Sequence, residues 1–500
     1  MLLAEIVSTS NAVAATRSRK AKVTALAECL AATSRNELPV VTAYLSGTLL
    51  QRRTGLGWRS LNDLPAPAAE PSLSVEDVHE AFERMSQVAG AGSQVERKRE
   101  ADALFGAATE AEQAWLRGVV TGEVRQGALD SLVQEAIAAA AEVPLPAVRR
   151  AAMLAGSTVV VAGLAFDGEE ALAEVGLVVG RPVLPMLASS AGSVEEAMSK
   201  LGEAVLVDTK LDGIRIQAHK SGSEVRIATR TLEDITSRLP EVAEIVSGFP
   251  AESLVLDGEA MTLGPDGRPR PFQETASRTA TRSAADAVVA PYFFDILHVD
   301  GRDLIDLSLD QRITELDRIV PEQHRPPRLV TVDAEEAERF AADAITSGHE
   351  GVVVKGVGLP WEAGRRGSGW IKVKPVHTLD LVVLGIEWGS GRRKGWLSNI
   401  HLGARGPDGF VMIGKTFKGM TDQILAWQTE RFTELAVDGT DDWQVRVRPE
   451  QVVEIAFDGV QRSTRYPGGV ALRFARVVRY RDDKKPEEAD TIDTVRAYLP

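Results

Sequence analysis

The spacing of apolar residues gives the chain three successive textures. Up to about residue 190 apolar positions recur at intervals of three and four, as in SVEDVHEAFERMSQVAG (74–90) and ALDSLVQEAIAAAAEV (128–143). This predicts amphipathic helices, with Ser74 and Asp130 as N-caps. A stretch rich in Pro and Ala, PAPAAEPS (65–72), interrupts them, and the alanine-rich run at 136–142 predicts a closely packed helix. From about residue 185 the period shortens to two: EAVLVDTK (203–210), IRIQAH (214–219), EVRIATR (224–230), SLVLDGEAM (253–261), APYFFDIL (290–297), GVVVK (351–355) and WIKVK (370–374). These read as strands interleaved with helices such as ERFAADAITSG (338–348), an α+β arrangement on antiparallel sheet. After Pro375 nearly everything reads as strand: LDLVVLGIEWG (379–389), SNIHLGARG (398–406), FVMIGKTF (410–417), QVVEIAFDGV (451–460) and LRFARVVRYR (472–481). Five short strands with glycine-rich turns predict a small closed barrel of the OB-fold type.

At 500 residues the chain is too long for one core, and about two to four domains are expected. A hydrophobic fraction of 44% and a charged fraction of 26% exclude global disorder and collagen-like or low-complexity chains. No apolar run approaches the roughly 18 to 20 residues that cross a bilayer, and the N-terminus lacks a basic region before its apolar part, so a cytoplasmic, membrane-free protein is expected. A single cysteine, Cys29, excludes an intrachain disulfide and any zinc site needing two thiolates. The net charge of −14 argues mildly against a polyanion partner, but residues 355–420 carry 11 Lys and Arg against 4 Asp and Glu. A basic segment in an acidic chain suffices to hold phosphates.

The first chemically pointed stretch is Lys210-Leu-Asp-Gly-Ile-Arg215. The preceding VLVD predicts a strand, so Lys210 falls at a strand end, and Gly213 permits a turn before the alternation resumes. Lysine attacks phosphorus through its neutral amine, a state favoured by desolvation and neighbouring positive charge. Alone, the hexapeptide is equally a charged hairpin. Downstream come Arg230, Asp257-Gly-Glu259, Phe294, Glu350-Gly-Val-Val-Val-Lys355, and Trp370-Ile-Lys372-Val-Lys374 with both lysines on one strand face. Taken singly, Phe294 reads as core, Glu350 and Lys355 as an exposed strand pair, and Arg392-Arg393-Lys394 as a solvated turn. Arg473, Arg476, Arg479 and Arg481 read singly as charges guarding an edge strand, and His349 and His377 as structural.

In order, type and spacing the six elements together resemble the motif series of the covalent nucleotidyltransferases, most closely the ATP-dependent DNA ligases: KxDGxR, a downstream Arg, DGE, an aromatic strand, EGxxxK and KxK. RFARVVRYRDDKKPEEADT (473–491) resembles the last ligase motif, with Ala475 where Pro is usual, and GEVRQGALD (122–130) resembles a backbone-gripping helix-turn. The resemblance implies a helical DNA-binding domain over 1–190, an antiparallel-sheet α+β adenylation domain over 191–376 and an OB-fold β-barrel over 377–500. It implies Lys210 as the nucleophile toward the α-phosphate of ATP and Asp208 facing the adenine. Arg215 and Arg230 would bind ribose or phosphate oxygens, Arg366 matches a family nucleotide contact less strictly, and Phe294 would stack on the purine. Glu259 would hold the ribose or a metal, Glu350 a divalent metal (Mg2+ or Mn2+), and Lys372 and Lys374 would neutralise the phosphate. Weaker implied contacts to DNA are Arg125, Arg392, Arg393, Lys394, Arg473 and Arg476. The implied reaction is nick sealing in duplex DNA by a monomer: lysine adenylylation, AMP transfer to the 5′-phosphate, then attack by the 3′-hydroxyl. An RNA ligase or capping guanylyltransferase uses the same KxDGxR but has no need of the helical third. A zinc-containing NAD-dependent ligase conflicts with the one cysteine, and a non-catalytic DNA clamp leaves Lys210 unexplained.

Overall fold

The computed structural model describes residues 1–499 except 52, 91, 125, 128–129, 203, 265–269, 271, 281–288 and 363–365. The chain divides into two compact units, Met1–Ser190 with Ala197–Ala337 and Val353–Ile371, and Ala191–Glu196 with Glu338–Val352 and Lys372–Pro500. No helix among the described residues is long and apolar enough to cross a membrane.

The first unit begins with α-helices from Leu3–Ala15 to Glu169–Ala173. In the helix Val75–Gln87 the residues Val75, Val78, Ala81, Phe82 and Met85 are buried, the stripe expected from the spacing. Ser74 caps it as expected, accepting from the Asp77 N–H, while the Asp77 carboxylate accepts from the Ser74 N–H at 2.9 Å. Asp130 behaves differently. It is the first residue of the helix Asp130–Ala140, and its carboxylate accepts from Thr158 Oγ1 at 2.9 Å and Gln134 Nε2 at 3.2 Å. The alanine-rich part of that helix buries Ala136, Ile137 and Ala138 in the helical core, as its composition predicted.

Two sheets follow. The strands are β1 Leu187–Ala191, β2 Val205–Thr209, β3 Ile214–Ser221, β4 Glu224–Thr229, β5 Ser253–Thr262, β6 Val289–Val299, β7 Arg302–Asp303, β8 Arg328–Thr331, β9 Val352–Gly356 and β10 Arg366–Val373. One sheet runs β1-β10-β9-β2-β8 and the other β4-β3-β5-β6-β7, the second antiparallel throughout. The helix Leu309–Ile319 is fixed to β6 by a buried pair: Arg312 donates from Nε and Nη2 to both oxygens of Asp295 at 2.8 and 3.0 Å, and neither side chain is exposed. Its Nη1 donates to Leu307 O at 2.6 Å, so the desolvated guanidinium is well satisfied.

The second unit carries β11 His377–Trp388, β12 Leu397–Gly406, β13 Gly409–Thr416, β14 Gln444–Arg446, β15 Val452–Phe457, β16 Gly459–Arg462, β17 Val470–Arg473 and β18 Arg476–Tyr480. Its main sheet runs β13-β12-β11-β15-β18 with β14 on β11, beside a β16-β17 hairpin. Among the described residues no strand pairing closes this path into the barrel that the sequence predicts. Two of the five strand candidates are each broken in two, at Asp458 and at Phe474–Ala475, where Phe474 takes a φ of 55° that ends the pairing.

Arg312→Ala is expected to destabilise the first unit by about 3–5 kcal/mol, because it strands a buried carboxylate. Urea unfolding of wild type and variant, followed by circular dichroism, checks this.

Candidate active site

Lys210 follows β2 directly, and its Nζ donates to Leu211 O at 3.2 Å. A short loop then enters β3. Gly213 is required there by contact: a Cβ would stand 2.3 Å from Ala260 O and 2.9 Å from Glu259 Cγ. Its backbone also favours the ionised form of the Glu259 carboxyl on β5. Gly258 meets the same demand from β6, where a Cβ would stand 2.5 Å from Tyr292 O. Both motif glycines exist because backbones touch.

The register of β3 on β5 sets Arg215 opposite Glu259 and Gln217 opposite Asp257, so these four share one face. Across the diagonal, Arg215 donates from Nε and Nη2 to the two oxygens of Asp257, each at 2.6 Å. Asp257 is fully buried and also accepts from Trp361 Nε1 at 3.4 Å. Between β5 and β6 the register shifts at this point: Asp257 faces Asp295, Gly258 faces Phe293, and Phe294 has no partner strand residue. A bulge re-aims a side chain, and here the Phe294 ring stands edge-on to Trp370 at 5.8 Å. Two cations lie over the rings. Arg215 Cζ is 4.7 Å from the Phe294 centroid and 5.5 Å from that of Trp370; Lys355 Nζ is 4.6 and 4.4 Å away. Lys355 Nζ lies 2.5 Å from Asp208 Oδ2, and both are almost fully buried.

These contacts tune the acids. Burial raises the Asp208 carboxyl above its ordinary value, against the opposing pull of Lys355. Burial likewise pushes Glu259 up to about 7, while Arg215 and Lys210 draw it down and Asp257 adds to the rise.

Asp208, Lys210, Arg215, Glu259 and Phe294 are thus gathered in the first unit, while Arg230 is exposed in the turn after β4. Arg366 is placed on β10 and Arg392 on the 3-10 turn Gly391–Arg393; their side chains, like Arg125 altogether, lie outside the described residues. In the second unit the half-buried Lys372 lies near the end of β10 and Lys374 pairs with Glu350. Arg393 donates to Phe417 O at 2.5 Å and Ser398 Oγ at 3.1 Å, Lys394 is exposed, and Arg476 pairs with Asp458 at 3.2 Å. Arg473 ends β17, its carbonyl accepting from the Asp458 N–H at 3.0 Å. Sequence reasoning assigned no role to Asp257, Lys355, Trp370 or Asp458. The first three lie inside motifs it had marked, and that was the usable signal; Asp458 carried none. Glu259 and Glu350 offer oxygen donors that suit a hard divalent cation. No cluster of three or more His, Cys, Asp or Glu able to hold a metal occurs among the described residues.

Comparison with known proteins places the chain in a family. The ATP dependent DNA ligase domain model matches residues 185–374, the ATP dependent DNA ligase C terminal region 393–484, and the DNA ligase N terminus 59–138. A probable DNA ligase of Nocardioides sp. is 66% identical over all of this chain and 99% of its own length. One from Beutenbergia cavernae is 62% identical over 99% of each chain. The solved structure designated Pmar-Lig_PreS3 shares the fold, with a TM-score of 0.67 over 95% of this chain and 99% of its own at 16% identity. Matched by these family models and by relatives of 66% and 62% identity over essentially their full length, the chain belongs to the ATP-dependent DNA ligase family.

Proposed function

We propose that the chain seals nicks in duplex DNA through a covalent Lys210–AMP intermediate. The observation that carries this is the placement of Lys210 at the end of β2, within electrostatic reach of Glu259, the residue that faces Arg215 across β3 and β5. In the first step Lys210 Nζ bonds to the α-phosphorus of ATP as the bond to pyrophosphate breaks. AMP then passes to the 5′-phosphate of the nick, and the 3′-hydroxyl attacks that phosphorus and releases AMP. Such transfers depend on positioning and charge neutralisation.

In this reading Phe294 offers its face to the adenine and Asp208 lies toward the base. Arg215 and Arg230 serve ribose or phosphate oxygens, Arg366 is a further nucleotide contact, and Lys372 and Lys374 neutralise the phosphate. Glu259 or Glu350 would hold Mg2+ or Mn2+, which would supply further charge neutralisation. Arg125, Arg392, Arg393, Lys394, Arg473 and Arg476 would meet the DNA backbone of a single bound nick, with the protein acting as a monomer in the cytoplasm, at the nucleoid. The domain reading is 1–190, 191–376 and 377–500, the last an OB-fold. That assignment is supported by the helix Asp422–Glu434 between β13 and β14, and by two bonds between the β13 end and the segment entering β18. These run from Val477 N–H to Lys418 O at 2.9 Å and from Thr416 Oγ1 to Ala475 O at 2.6 Å.

Incubation with Mg2+ and ATP labelled at the α-phosphate should give label that survives denaturing electrophoresis in wild type and is absent in Lys210→Ala. Label persisting in that variant contradicts the assignment. A second expectation concerns pH. Glu259 holds a cation, and binds a ribose hydroxyl most strongly, when ionised, so adenylation should rise as pH passes about 7, and Glu259→Gln should remove that inflection. The stability effect has the opposite sign. A carboxyl raised from 4.5 to about 7 contributes stability fully below 4.5 and loses it as pH climbs through 7. Thermal melts of Glu259→Gln should therefore gain on wild type between pH about 5 and 8.

A further inference from the structure

Four side chains of the second unit form a chain of alternating charge. Glu350 accepts from Lys374 Nζ, which lies 3.6 Å from Asp458 Oδ2, and Arg476 Nη1 reaches Asp458 Oδ1 at 3.2 Å. Glu350, Lys374 and Asp458 are largely withdrawn from solvent, while Arg476 is 39% exposed. Asp458 occupies the one-residue break between β15 and β16, and its backbone is pinned to Arg473 O. Its place is therefore set by the hairpin rather than by the lysine it faces.

We propose that Asp458 is a positioning residue that stands in for a phosphate, holding Lys374 and Arg476 until a nucleoside triphosphate displaces it from Lys374. The inference rests on the reading of Lys374 as a phosphate ligand. The two distances give the order of events. At 3.6 Å, Asp458 holds Lys374 by charge alone, beyond hydrogen-bond length, so this contact yields before the Glu350 bond. Asp458 keeps a partner when Lys374 leaves, because Arg476 lies closer, so the exchange strands no half-buried charge. Phosphate arrival at Lys374 then leaves Arg476 as the partner of Asp458, which links occupancy of the lysine to the motif that Arg476 carries on β18. Competition between carboxylate and phosphate for one ammonium weakens nucleotide binding by the strength of the contact given up.

The test uses full-length protein with Asp458→Asn and Asp458→Glu. Initial rates of enzyme–AMP formation are measured against ATP concentration, and sealing of a pre-adenylylated nick is measured without ATP. Asp458→Asn should lower KM for ATP roughly two- to fivefold, the range expected for a partly exposed ion pair, with kcat nearly held and the difference shrinking at high salt. Asp458→Glu should keep the wild-type KM. A KM that is unchanged or raised in Asp458→Asn, or a lowered KM with sealing of the pre-adenylylated nick abolished, overturns the proposal. If wild type forms no adenylate from ATP, the reading of the site has failed, and calorimetry with tripolyphosphate still decides the point. Tighter binding by Asp458→Asn supports the stand-in role, and equal or weaker binding overturns it.

Discussion

Asp257 takes both prongs of Arg215 in a place where the carboxylate has no access to water, and much of the pocket depends on that pair. A carboxylate so buried is tolerated only with its hydrogen bonds filled. Arg215 fills two, and Trp361 adds a longer contact. Held in this way, the guanidinium lies flat enough to sit over Phe294 and near Trp370. The same pair biases Glu259, which Arg215 draws toward ionisation and Asp257 pushes away from it. A second pair, Asp208 with Lys355, supports the rings from β2 and β9. The side chains around Phe294 and Trp370 are therefore held in place by matched charges.

The alternation of apolar residues revealed most strands because a half-buried sheet enforces a period of two, and the spacing of Val75, Val78, Phe82 and Met85 revealed a helix for the same kind of reason. The breaks at Asp458 and Phe474 were hidden. Apolar alternation runs straight through both, and only the backbone turn at each, with its positive φ at Phe474, ends the pairing. The strand Gln444–Arg446 is too short to have a period at all. In the site, Lys210 and Phe294 could be named from motif order, but the bulge that aims Phe294 is a mismatch of register between two strands, and neither strand records it alone. The counter-charges were equally invisible. Asp257 meets Arg215 across 42 residues of sequence, and the pairing exists only once β3 lies on β5.

Several bases of the second unit lie beside acids. Asp380 takes Arg481 at 3.2 Å and Lys484 at 2.5 Å, Asp483 takes Arg481 at 2.7 Å, and Glu387 takes Lys415 at 2.6 Å. Arg393 is tied to a carbonyl and lies over Phe417. The net charge of −14 thus includes acids placed beside bases.

The most direct test of the central claim is the rate at which Asp257→Asn becomes adenylylated, followed by intact-protein mass spectrometry after mixing with ATP and Mg2+. With the far-ultraviolet spectrum unchanged, the account predicts a fall of roughly 100-fold, the scale of loss that follows a misplaced guanidinium clamp. Adenylation of a folded Asp257→Asn protein at the wild-type rate would contradict it and leave the buried pair as scaffold only.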